Sequence, residues 1–209
     1  MKTSKKNLIL ENALVLFLKN GIHVVSMDDI ASACGISKKT IYIHFENKSD
    51  LLKQLLRIQI VKFNSGLRNY PRVSSNAIVE LQILFSCIKE TLSFISPTFF
   101  NDLKKRYSEG FFELIKFRDN SIFPFLEKNI KRGQSEKIYK KELNIEDVLA
   151  SYNIVYHLLI TDSFFMDIEK GERAINFLNR LFIYSLVSVK GFKILNNKPI
   201  QISYRKKNS

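Results

Sequence analysis

From Ser26 to Lys48 the chain gathers hydroxyls, ammonium groups, a phenol and an imidazole: Ser26, Ser37, Lys38, Lys39, Thr40, Tyr42, His44 and Lys48. Such groups donate to anionic oxygens or to base edges, which is the chemistry of holding nucleic acid. The 209 residues contain no glycine-rich phosphate loop, nucleophile elbow or paired-carboxylate spacing. Binding is therefore expected, not catalysis. His23, His44 and His157 have no Glu or Cys at ligand spacing, so neither a metal nor a cofactor is expected.

Helix signals around these residues say how they are held. Ser26 and Asp29 form a capping box, with Asp28 and Asp29 in the first turn, where the helix dipole favours acids. Gly35 stops that helix, and Ser37 caps the next only two residues later. Two helices joined so tightly meet as a corner, the helix-turn-helix. Ile41 and Phe45 share one face four residues apart, which must be buried, so Lys39, Thr40 and Ile43 project outward. Asn47 and Asp50 cap a longer helix with Lys48 in its first turn, a cation opposing the dipole as if an external anion compensated. With an earlier helix stopped by Gly21, the expected head core is Ile9, Ala13, Phe17, Ile30, Ala31, Ile36, Ile41 and Phe45.

This ordered set resembles the TetR (tetracycline-repressor-like) family of bacterial transcription regulators. The matching positions run from Ala13 and Leu16-Phe17 through Gly21-Ile22, Ser26, Asp29-Ile30-Ala31 and Cys34-Gly35-Ile36-Ser37. They continue with Thr40-Ile41-Tyr42, His44-Phe45 and Lys48-Ser49-Asp50-Leu51. The resemblance implies phosphate contacts at Ser26, Tyr42, His44 and Lys48, base edges approached by Lys38, Lys39 and Thr40, and Ser37 as the cap of the reading helix. Lys39 stands where a small residue or proline is common, so base preference is not inherited, and Asp28 stands where a basic residue is common, so no DNA contact is carried over to it.

The formal net charge is +13, but unevenly spread. Residues 1–65 carry ten Lys/Arg against five Asp/Glu, residues 66–189 carry 17 against 15, and residues 190–209 carry six against none. The excess at the two ends argues against a uniformly basic DNA coat. Cys34 and Cys87 have no ligand spacing and fit a reducing cytoplasm. Glu11 and Asn12 interrupt the apolar stretch behind Lys2, Lys5 and Lys6, so no signal peptide is read there. No apolar run approaches the ~20 residues that cross a bilayer. A cytoplasmic protein without membrane contact is expected.

The remainder reads as helix throughout, giving an all-α fold of about nine helices. A helix-turn-helix domain over 1–48 leads, through a linking helix over about 48–69 ended by Pro71, into a helical effector-binding and dimerisation domain over 49–209. Further helices are expected over Ser75 to Ile95, Ser96-Pro97 to Tyr107, and Phe111 to Arg132, kinked or split at Pro124 and stopped at Gly133. The last two, about 145–166 and 172–189, are apolar over most of their circumference and must be buried on two sides, either as central helices of the monomer or, the favoured reading and the one the resemblance implies, in a four-helix homodimer interface. Fourteen of the 17 phenylalanines lie after residue 65, and an apolar cavity for a large apolar or aromatic effector would use some of them, although no effector-binding residue is singled out.

The leading expectation is a ligand-responsive repressor binding double-stranded DNA at a near-palindromic operator as a homodimer. The alternatives are an architectural or partner-binding DNA protein of the same fold without an effector, and an enzyme or carrier that keeps only the fold. In the alternatives the basic tail Ser203-Tyr204-Arg205-Lys206-Lys207, otherwise read as a solvated end, gains importance.

Overall fold

Local signals set the first four helices. A computed structural model describes residues 4–96, 98–161 and 168–196. Helix α1 (Lys5–Asn20) is capped by Ser4, and α2 (Met27–Cys34) carries the full Ser26–Asp29 capping box. Helix α3 (Lys38–Tyr42) is capped by Ser37, and α4 (Lys48–Val73) by Asn47. Gly35 turns the corner at φ +63° while the Ile36 N–H closes onto the Ala31 carbonyl at 3.1 Å, a Schellman ending. An added Cβ at Gly35 would meet nothing within 4 Å, so only backbone strain opposes a side chain. Gly35→Ala is therefore expected to cost about 1 kcal/mol, and Gly35→Asn less, in urea unfolding. Equal stability of Gly35→Ala and wild type would refute the strain account.

Ile9, Ala13, Phe17, Ile30, Ala31, Ile41 and Phe45 are buried together, as expected, with Ile36 half-buried beside them. The same cluster takes in Leu51, Leu52, Leu55 and Leu56 of α4, and Phe99 and Leu103 further along. The head's core is thus continuous with the elements it stands on.

Beyond α4 lie α5 (Ala77–Ser93), α6 (Phe99–Arg106), α7 (Ser108–Phe117), α8 (Phe123–Ser135), α9 (Ile145–Thr161), α10 (Ile168–Leu186) and α11 (Val189–Asn196). A π-helical turn, Arg118–Ile122, joins α7 to α8. The expected helix over 111–132 is thus interrupted where Pro124 lacks an N–H and its ring would crowd the carbonyl four residues back. Widening the turn accommodates it. Four other boundaries differ from expectation. Pro71 does not end α4, which continues to Val73. Gly133 lies inside α8, where a Cβ would stand 2.1 Å from the Tyr139 ring, so glycine there permits a close approach. Gly171 is buried within α10, and that helix ends at Leu186, before α11. Pro97, the end of the helix expected to reach 166, and the tail from residue 197 lie outside the described residues. The described residues hold an isolated antiparallel bridge, Tyr139 to Val187, and no strand.

The second core is built from α5, α8, α9 and α10, with Leu81, Leu84, Phe85, Leu126, Tyr152 and Ile183 among its buried members. Phe85, Tyr152 and Phe182 stack and cross there at centroid separations of 5.4–6.1 Å.

Candidate nucleic-acid interface and ligand cavity

Ser26, Ser37 and Asn47 hold the helix starts, and the side chains between them form one exposed edge. The Ser26 Oγ accepts from the Asp29 N–H at 3.1 Å and donates to Asp29 Oδ2 at 2.7 Å. Hydrogen bonds from Ser26, backbone first, hold the Asp29 carboxyl below the usual carboxylate range. Ser37 Oγ accepts from the Thr40 N–H at 3.2 Å and lies 2.9 Å from the half-buried Thr40 hydroxyl. Lys39 and Ile43 are exposed, as is Tyr42 at 45%. His44 is half-buried with its ring edge-on to Phe45. Ser26, Ser37, Lys38, Lys39 and Tyr42 are thus exposed on and beside α2 and α3, whereas Thr40, His44 and Lys48 are half-buried.

Two of the lysines have partners that no local signal reveals. Lys38 donates to Asp28 on α2 at 2.7 Å, an exposed ion pair that ties the two helices together. Lys48 donates to the His23 carbonyl at 3.3 Å, and its ammonium lies 5.7 Å from the Phe17 ring centre and 5.6 Å from that of Tyr107. Burial pushes its ammonium below the usual lysine range, against the opposing pull of Asp102 and Asp29. The expected external anion is therefore replaced, in this arrangement, by a carbonyl and two aromatic faces. Burial likewise raises the Tyr107 phenol.

Lys48 belongs to a joint between the head and α6. Asp102 Oδ2 accepts from the His23 N–H at 2.8 Å, and the Ser96 N–H donates to the Leu18 carbonyl at 2.7 Å. Gly21 has φ +86°, and a Cβ there would come within 2.3 Å of Thr98 Oγ1. Glycine is needed at this position for conformation and for room alike. Lys53–Glu109 at 2.7 Å and Arg57–Glu113 at 2.9 Å add two ion pairs between α4 and α7.

Behind the joint is an apolar cavity of about 370 Å³, within the range of small-molecule sites. Leu14 and Leu18 of α1, Leu55 and Phe63 of α4, and Phe99 and Phe100 of α6 are among its walls. Phe117, Tyr152 and Tyr156 also line it, whereas Phe94 and Phe112 are exposed instead. Burial raises the Tyr152 and Tyr156 phenols far above their usual range, so both stay neutral. Gln59 and Lys62 line this cavity and a smaller neighbouring pocket between α1 and α4. Among the described residues no group of three or more His, Cys, Asp or Glu is placed to hold a metal ion. None of the described helices is long and apolar enough to cross a membrane.

Residues 9–55, the stretch with this geometry, match the family described as bacterial regulatory proteins, tetR family. The N-terminal stretch of the chain, residues 9–55, is thus of the TetR-family type. Relatives of the chain include the uncharacterized HTH-type transcriptional regulator YerO of Bacillus subtilis, 24% identical over 188 residues, which are 90% of this chain and 56% of YerO. The biofilm operon icaADBC HTH-type negative transcriptional regulator IcaR of Staphylococcus aureus is 31% identical over 71 residues, 31% of this chain and 38% of IcaR. The chain thus spans about half or less of these curated relatives. Among solved structures, the transcriptional regulator FadR from Bacillus subtilis in complex with stearoyl-CoA aligns with a TM-score of 0.67 at 18% identity, covering 86% of this chain and 98% of FadR. That likeness is one of helical fold over most of the chain.

Proposed function

We propose that this TetR-family chain is a DNA-binding transcription regulator, a repressor released from its operator by an apolar small molecule, and not an enzyme. Residues 1–48 act as the reading head and 49–209 as the effector and dimerisation part. The observation that carries the ligand response is the shared wall: Leu14 and Leu18 of the head's first helix line the same cavity as Phe99 and Phe100. A molecule filling that space bears on the head directly, and a coupling of about 1–3 kcal/mol lowers DNA affinity several- to a hundredfold. The apolar lining favours an apolar body, and Lys62 among the lining residues favours an anionic end. The solved FadR complex with stearoyl-CoA and the name of IcaR as a negative regulator fit this reading.

A second copy of the chain is the partner that suits α9 and α10. Ile154 is 65% exposed, Phe177 62% and Leu181 49%, an apolar set on the two helices expected to pair. A two-fold dimer would set its heads about 34–36 Å or a multiple apart, hence a near-palindromic operator. DNA binding in turn places the protein in the cytoplasm. The open cavity disfavours the effector-free architectural alternative, whose interior would be filled.

Operator selection from random duplex, followed by anisotropy titrations with and without a long-chain fatty acid or its coenzyme A thioester, tests this. Enrichment of an inverted repeat and a tenfold or greater loss of affinity with either amphiphile is expected. No enriched motif would refute the regulator, and tight amphiphile binding that leaves DNA affinity unchanged would refute the ligand response.

A further inference from the structure

The head–body joint has a charged continuation along α6. Thr98, beside Gly21, and Asp102, bonded to the His23 N–H, are four residues apart on one stripe of that helix. Following the stripe one more turn, about 5.4 Å, reaches Lys105 and Arg106. Thr98 lies beside Gly21 and Asp102 beside His23, so the stripe runs along the loop between α1 and α2. Lys48 is close to the same loop: its ammonium donates to the His23 carbonyl and faces Tyr107, the residue directly after Arg106.

Lys104, Lys105 and Arg106 are all exposed, and no ion pair is formed by any of them among the described residues. The acids nearest in sequence are already engaged, Asp102 with the His23 N–H and Glu109 with Lys53. Three exposed cations without an ion pair among the described residues therefore stand on the last turn of α6, directly before Tyr107, whose ring faces Lys48. Resting on the DNA-binding reading above, we propose that the last turn of α6, Lys104-Lys105-Arg106, is a second phosphate-binding surface that grips the duplex backbone beside the recognition helix.

A body-borne grip of this kind adds its own counterion release to that of the head, where Lys38 is already held by Asp28. Because phosphate contacts carry no sequence information, the grip adds affinity without changing the preferred bases.

The test is the salt dependence of duplex binding by the full chain carrying Lys104→Gln, Lys105→Gln and Arg106→Gln together. All three positions are exposed, and a thermal melt alongside reports any loss of helix-terminal stability. Each lost phosphate contact reduces the slope of log affinity against log salt by about 0.9, so a fall of about two to three units per protomer is expected. Base preference in an operator selection stays that of the wild type. A variant with the wild-type slope overturns this inference alone, even if its melt shifts, since that outcome assigns the cations to helix capping only. A wild-type protein that bound no duplex at all would overturn both this inference and the reading beneath it.

Discussion

Replacing Arg132 by Met is expected to destabilise the protein by about 3 kcal/mol, near the lower end for removing one partner of a buried ion pair. The guanidinium is the hub of a polar cluster joining three helices. It bonds to Glu80 at 2.7 Å, Glu136 at 2.7 Å, the Ser74 hydroxyl at 2.9 Å and carbonyl at 3.2 Å, and the Pro71 carbonyl at 3.4 Å. Glu136 in turn accepts from the Ala77 N–H at 2.8 Å, the first residue of α5. Glu80 is only 2% exposed, so without Arg132 its carboxylate has neither water nor a counter-charge. At about 2–4 °C per kcal/mol for a chain of this size, the midpoint should fall by roughly 6–12 °C. Adding Glu80→Gln should recover part of the loss, because a neutral amide tolerates the site where a lone carboxylate does not. A single variant within about 1 kcal/mol of wild type, or a double variant worse than the single, would show that the cluster does not hold these helices together.

That cluster also marks where sequence reasoning stops. The helix-turn-helix was legible because its determinants act within four residues: Ser26 with Asp29, Ser37 with Thr40, Asn47 with Asp50, and Gly35 at its positive φ. Pro71 and Gly133 carry equally strong local signals, yet neither ends its helix. Arg132, 61 residues away in sequence, bonds to the carbonyl of Pro71, and the Tyr139 ring packs directly over Gly133. Local signals read Lys48 against its helix dipole, but the groups that receive it, His23, Phe17 and Tyr107, come from three other places in the chain. Asp28 reads locally as a first-turn acid, with no sign that it pairs with Lys38. The abundance of phenylalanine suggested a cavity, but leucines of α1 in its wall required the fold. Tertiary partners override local propensity in each of these cases.

Lys39→Ala is expected to abolish discrimination at one operator base pair, worth about 1–3 kcal/mol, while the other positions keep their preference. The two adjacent lysines of α3 differ in what they already hold. Lys38 is pinned by Asp28 at 2.7 Å, whereas Lys39 is exposed and takes part in no ion pair among the described residues. A lysine that reads guanine O6 or N7 needs an unengaged ammonium, and Lys39 meets that condition. Lys38→Ala should cost less than Lys39→Ala, because the ammonium it deletes is already engaged by a carboxylate. Asp28→Asn should act in the opposite direction: it frees Lys38 and removes a negative charge near the phosphates. Affinity for every duplex then rises, and the salt slope steepens by about one unit. Anisotropy titrations against a panel of single-base operator variants at several salt concentrations separate these effects. Equal losses from Lys38→Ala and Lys39→Ala, or no gain from Asp28→Asn, would show that the ion pair opens on DNA and that both lysines read bases.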